Sequence, residues 1–130
     1  MTVAVRYFSR SGNTKTVAEA IAKAAGVEAV SVDAEGAKVE NADVLFVGGA
    51  LYAYGIDGAL KDFLKTLSKD SAKKAVVFST SWISKHAIDL IKKGLQEAGI
   101  PVEEEYFDSK SKPSEDTLKY AEAFAGKFVK

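Results

Sequence analysis

Val3-Ala4-Val5-Arg6-Tyr7-Phe8, followed by Ser9-Arg10-Ser11-Gly12-Asn13-Thr14, is the stretch on which the fold turns. The first six residues are short, apolar and partly β-branched, which reads as a strand. The next six are a polar turn. Beyond them Val17, Ile21, Ala24 and Ala25 recur at helical spacing, and Gly26 stands where a helix C-cap belongs. A strand that runs through a hydroxyl-rich turn directly into a helix is the opening half of a βαβ unit.

The same alternation continues along the chain. Glu28 to Val32 is a short alternating strand. Residues 33 to 41 are too short and polar for a full helix, and at most a turn or two is expected there. Ala42 to Gly48 and Ala75 to Ser79 are continuous apolar runs of the kind buried on both faces of a sheet. Leu60, Phe63, Leu64 and Leu67 mark a second helix, and Ile88, Ile91, Leu95 and Ala98 a third, with Ser84 as its expected cap. Val102 to Phe107 carries three glutamates, which suits a sheet edge. Ser114 caps a last helix with Leu118, Ala121, Phe124, Ala125 and Phe128 on one face. This alternation predicts a parallel sheet with helices on both faces and right-handed crossovers. The first, third and fourth strands are the most apolar and belong in the centre, giving the order 2-1-3-4-5.

Composition narrows the function classes. The chain has 130 residues, 47% hydrophobic and 28% charged, and residues 1–130 read as a single domain. With 18 Lys+Arg against 18 Asp+Glu, no global field draws in nucleic acid or an anionic membrane. No apolar run approaches the ~20 residues of a membrane span. The N-terminus lacks a signal-peptide layout, and a cytoplasmic protein is expected. Absence of cysteine excludes disulfides, thiolate metal sites and thiol catalysis.

In a sheet of this order, ligands lie beyond the C-terminal strand ends. These ends are Ser9 to Thr14, Gly48 to Asp57, Ser79 to Lys85, and Phe107 to Lys112. Ser9-Arg10-Ser11-Gly12-Asn13-Thr14 offers three hydroxyls, a glycine that permits a tight turn, and a helix N-terminus whose free amides carry partial positive charge. A phosphate monoester would accept from these groups. The plainer reading is that Ser11 or Asn13 only caps the helix. The loop lacks the Gly-x-x-x-x-Gly-Lys-[Ser/Thr] run of a nucleoside triphosphate site and the three-glycine dinucleotide pattern.

Here the sequence resembles the flavodoxin family. Ser9-Arg10-Ser11-Gly12-Asn13-Thr14 matches its Ser/Thr-x-Ser/Thr-Gly-Asn-Thr phosphate signature throughout. Gly48-Gly49-Ala50-Leu51-Tyr52-Ala53-Tyr54-Gly55-Ile56 resembles the family's second loop, with Ala50 where many relatives have proline. Leu60-Lys61-Asp62-Phe63-Leu64 resembles the helix start that follows, and Ser79-Thr80-Ser81 the third loop. The resemblance spans nearly the whole chain. It implies a flavodoxin-like three-layer α/β/α sandwich and an FMN-binding electron-transfer protein, whose flavin cycles between oxidised, semiquinone and hydroquinone states. It implies redox partner proteins, and a monomer or weak homodimer. Cofactor contacts carry over to Ser9, Arg10, Ser11, Gly12, Asn13 and Thr14, to Gly49, Ala50, Leu51, Tyr52, Ala53, Tyr54 and Gly55, and to Ser79, Thr80, Ser81 and Trp82. The family's strand-5 motif with cysteine appears instead as Phe107-Asp108-Ser109-Lys110-Ser111-Lys112. The electron carriers' acidic, aromatic third loop and overall acidity are absent.

Tyr52, Tyr54 and Trp82 are aromatic candidates for stacking on a flavin ring, Tyr52 and Trp82 foremost. Gly49 and Gly55 are candidates for backbone contact with the ring edge. Arg10, Lys85, Lys110 and Lys112 stand against Asp57 and Asp108 around the slot. This balance predicts a less negative hydroquinone potential than in an acidic carrier. Arg6, inside a central strand, is expected to reach a helix carboxylate. His86, the one histidine, reads as a surface residue. A response-regulator receiver shares the sheet order but needs acidic residues after strands 1 and 3, where Ser9-Arg10 and Gly48-Gly49 stand. Two further readings are an NAD(P)H-dependent flavin or quinone reductase, and a flavodoxin-like protein-binding module without cofactor.

Overall fold

The computed structural model describes residues 1–52, 55–80, 85–109 and 112–129. Along them run β1 (Val3–Tyr7), α1 (Asn13–Ala25), β2 (Ala29–Ser31), β3 (Ala42–Gly49), α2 (Gly58–Lys65), β4 (Ala72–Ser79), α3 (His86–Glu97), β5 (Val102–Asp108) and α4 (Glu115–Gly126). Every neighbouring strand pair is parallel, and the order is β2-β1-β3-β4-β5, as the alternation requires.

The sheet is covered on both faces because its central strands are apolar at successive positions. In β3, Val44 and Phe46 join a core with Val5, Val17, Ile21, Phe78, Phe124 and Phe128 under α1 and α4. Leu45 and Val47 join the opposite core with Leu60, Leu64, Ala75, Val77, Ile88 and Ile91 under α2 and α3. Side chains alternate faces along a strand, so the run Val44 to Val47, buried on both sides, carries no polar residue.

Several boundaries and partners differ from the sequence reading. β4 begins at Ala72, not Ala75, because Lys73 and Lys74 find carboxylates on flanking strands: Lys73 Nζ lies 3.0 Å from Asp43 and Lys74 Nζ 3.9 Å from Glu103. On α1 the buried stripe is Thr14, Val17, Ala18, Ile21 and Ala22, while Ala24 is exposed; α4 covers α1 from the side and turns the stripe. β5 is an edge strand, irregular against β4 between Ala75 and Val77. Its Glu105 is paired with Lys127 at 2.8 Å. Ser84 lies outside the described residues; α3 follows Lys85, which makes no side-chain capping bond.

The β2–β3 connection is the one without a helix. Residues 32–36 form turns, as expected, residues 37–40 run on without regular structure, and Ala37 and Val39 are buried. Arg6 does not reach a helix carboxylate. Its Nε donates to the Ala37 carbonyl at 2.7 Å, with Nη1 on Val5 O at 3.1 Å and Nη2 on Gly36 O at 3.5 Å. A helixless connection leaves carbonyls unpaired over the sheet, and the guanidinium fork satisfies them. Partial burial lowers the Arg6 pKa from its ordinary value.

Candidate functional site

The C-terminal ends of β1, β3 and β4 converge on one rim of the sheet, with the loop at residues 8–12 in the middle. Gly12 is the N-cap of α1, at φ 94° and ψ −8°. No heavy atom outside its own chain neighbours would lie within 4 Å of a Cβ there, so glycine is required by the backbone angle and not by crowding. The Gly12 amide donates to Ser9 Oγ at 3.0 Å, and the Asn13 amide reaches Ser11 Oγ at 3.5 Å. Each serine oxygen thus accepts from the loop and keeps its proton to donate outward. Thr16 spends its hydroxyl on the Gly12 carbonyl at 2.9 Å and is no donor for a ligand.

The N-cap of α1 is itself a glycine, and Ser11 Oγ meets only the first helical amide, at a long 3.5 Å. This sets α1 apart from α2, where Asp57 Oδ1 accepts from the Ala59 amide at 2.8 Å. It is also unlike α4, where Ser114 Oγ accepts from Thr117 at 3.2 Å. The first turn of α1 holds no acidic residue, whereas that of α4 holds Glu115 and Asp116; α1 instead carries Lys15 there. Among the described residues, no acceptor meets the amides of Thr14 and Lys15. The positive end of a 13-residue helix is left uncompensated and ringed by hydroxyls, a donor set suited to an anion.

The second loop is tied to the first through Arg10. Its Nε donates to Asp57 Oδ2 at 2.9 Å, with Nη2 on the same oxygen. Its guanidinium carbon stands 3.9 Å from the centroid of the Tyr52 ring, a cation–π contact. One cation therefore joins the phosphate-type loop, the α2 cap and the aromatic wall. A flavin stacking on Tyr52 has at most one ring face to use. Tyr52 and Gly55 exchange both backbone hydrogen bonds, at 2.7 and 3.0 Å, with Gly55 at φ 111°. The Gly55 carbonyl is thus engaged with Tyr52. Gly49 ends β3, buried, and a Cβ on it would fall 2.5 Å from Leu60 Cδ2; close helix packing explains that glycine. Ala50 and Leu51 are half-buried.

On the third side, Ser79 and Thr80 are buried, and the Ser79 carbonyl accepts from Ser109 N at 3.0 Å. Thr80 Oγ1 lies 2.7 Å from Thr14 Oγ1, a link between β4 and α1 that residue spacing does not reveal. Ala53, Tyr54, Ser81, Trp82 and Lys110 lie outside the described residues. Of the rim cations, Arg10 is matched by Asp57, Lys85 Nζ lies 5.4 Å from the Tyr106 ring centroid, and Lys112 is exposed. His86 is exposed at the start of α3, as read. The sequence reading missed the Arg10–Asp57 pair; opposite charges at the two loops were its only available signal. Among the described residues, no cluster of His, Cys, Asp or Glu could hold a metal ion, and no helix is long and apolar enough to cross a membrane.

A 2-1-3-4-5 parallel sheet with an anion cradle after its first strand and an aromatic wall after its third defines a doubly wound, nucleotide-type cofactor protein. A flavodoxin-domain family model matches residues 4–128, and the chain belongs to the flavodoxin family. Solved structures agree on the fold. A flavodoxin from the domain Archaea is 24% identical, with 99% of this chain and 96% of that one covered and a TM-score of 0.77. Oxidised Flavodoxin 1 from Bacillus cereus is 21% identical over 98% and 97% of the two chains, with a TM-score of 0.79. The flavodiiron core Flv1 of Synechocystis sp. PCC6803 is 25% identical over 98% of this chain but 34% of its own, with a TM-score of 0.79. A search of curated proteins gave no match. Flavodoxins are FMN-binding electron carriers, and FMN is the cofactor that family membership assigns to this chain.

Proposed function

We propose that the protein is a small electron carrier that holds FMN by its phosphate in the loop of residues 9–14 and passes electrons between redox partner proteins. The acid-free N-terminus of α1, with the Ser9, Ser11 and Thr14 hydroxyls around it, is the observation that carries this reading. When bound, FMN supplies redox chemistry in one-electron steps between oxidised, half-reduced and fully reduced states. The chain contributes the rest. Ser9, Ser11, Gly12, Asn13 and Thr14 donate to the phosphate, and Arg10 fixes the Tyr52 ring as a wall of the slot. Ala50, Leu51 and the Tyr52–Gly55 pair bound the second loop, with Ala53, Tyr54, Ser81 and Trp82 assigned to the slot from sequence.

Titration of the apoprotein with FMN and with riboflavin, followed by quenching of flavin fluorescence, tests the assignment. Tight FMN binding and much weaker riboflavin binding are expected. Ser9→Ala and Thr14→Ala should each weaken FMN by about tenfold, the scale of one hydrogen bond to a charged group, with little change for riboflavin. An apoprotein that quenches neither flavin would contradict the proposal.

A further inference from the structure

We propose that Thr80 is a positioning residue: by holding the Thr14 side-chain oxygen, it turns the Thr14 hydroxyl proton toward the phosphate and so sets the preference for FMN over riboflavin. The inference rests on the phosphate assignment made above.

The two oxygens are 2.7 Å apart, and the residues are 2% and 3% exposed. Burial at this level leaves little room for water to replace either partner. A hydroxyl has one proton to donate and accepts through its lone pairs. Two arrangements of the pair are therefore open. If Thr14 donates to Thr80, Thr14 can offer a phosphate only lone pairs, which repel an anion. If Thr80 donates to Thr14, the Thr14 proton is free for the anion, and the donated bond polarises it further. An anion in the cradle selects the second arrangement.

Thr16 shows what a helical threonine does without such a partner. Two residues further along α1, its hydroxyl turns back and donates to the carbonyl four residues earlier, at 2.9 Å. Thr14 lies in the first turn, before the helix offers a carbonyl four residues earlier. Its oxygen is instead engaged by a residue 66 positions away on the end of β4. Thr80 is thus the partner that fixes the Thr14 oxygen beside the cradle. The hydroxyl pair joins the phosphate loop to the C-terminal end of β4.

The test measures FMN and riboflavin dissociation constants for the wild type, Thr80→Val, Thr80→Ser, Thr14→Val and the Thr14→Val/Thr80→Val double variant. Valine matches threonine in shape and removes only the hydroxyl. Thr80→Val is expected to weaken FMN about tenfold and riboflavin less than about twofold, with Thr80→Ser restoring the preference. In the double variant, the Thr80 substitution should cost FMN nothing further, since Thr80 acts through Thr14. Thr80→Ala removes the same hydroxyl without filling its place, and repeats the measurement should the valine variant melt early. Equal losses for the two flavins would assign Thr80 a structural role and overturn the proposal, as would unchanged FMN affinity. A wild type that binds both flavins alike removes the phosphate site itself. A selective wild type beside an equally selective Thr80→Val variant removes only the role of Thr80.

Discussion

Gly48→Ala should be among the most damaging single-methyl additions in this protein. Gly48 and Phe78 are register partners on β3 and β4 and face the same side of the sheet. A Cβ on Gly48 would stand 2.1, 2.3 and 2.3 Å from three carbons of the Phe78 ring. Carbon atoms make ordinary contact at about 3.5–4.0 Å, so the overlap exceeds an ångström at three points at once. The ring has nowhere to retreat, since Phe78, Phe46, Val76 and Val5 are all fully buried. Overpacking a filled core costs about 1–3 kcal/mol and occasionally more, and a rigid ring between two central strands belongs at the upper end. For a chain of this size, a loss of ~3 kcal/mol lowers Tm by roughly 10 °C. Thermal melts of Gly48→Ala, Phe78→Leu and the double variant supply the cycle. Leucine is smaller than phenylalanine and gives the new methyl room, so the double variant should lose at least ~1 kcal/mol less than the two single losses combined. A Gly48→Ala protein within ~0.5 kcal/mol of wild type, or strictly additive losses, would refute the reasoning.

Two predictions concern charges. The Asp43 carboxyl accepts from the Thr2 amide at 2.7 Å and pairs with Lys73 at 3.0 Å, and these hold its pKa below the ordinary carboxylate value. A depressed folded-state pKa contributes stability that is present above the unfolded-state value and lost as pH falls through the folded one. Asp43→Asn should therefore melt below wild type at neutral pH, with the gap closing in strong acid; a gap independent of pH would contradict this. Asp57→Asn keeps an α2 cap, since asparagine caps as well as aspartate, but removes the countercharge of Arg10. With FMN bound, spectroelectrochemical titration should show a less negative hydroquinone potential than in wild type, and an unchanged potential would separate Arg10 from the flavin.

Much of the fold was legible because its signals are local. The runs Val44 to Val47 and Ala75 to Phe78 are apolar at every position, which only a strand covered on both faces tolerates. Gly26 and Ser114 mark their helix ends by chemistry that acts within a few residues. The hydroxyl loop was legible for the same reason. What escaped depends on distant partners. Arg6 is expected at a helix carboxylate because its actual acceptors, the carbonyls of Gly36 and Ala37, lie in a segment without a pattern of its own. Gly94 gave no hint that a Cβ there would fall 2.8 Å from Leu64 on the neighbouring helix. At Gly49, expected to meet a ligand with its backbone, the sequence gives no sign that Leu60 occupies the side-chain space. The Thr14–Thr80 pair joins residues whose types are common in any loop, and only the parallel sheet, which carries the ends of β1 and β4 to one rim, brings them together.

The most direct measurement is a backbone amide NMR titration with FMN and, separately, riboflavin. Phosphate in the cradle should shift the amides of Gly12, Asn13, Thr14 and Lys15 strongly with FMN and leave them nearly unmoved with riboflavin. Shifts at these four amides that are the same for both flavins, or FMN shifts confined to other parts of the chain, would contradict the account.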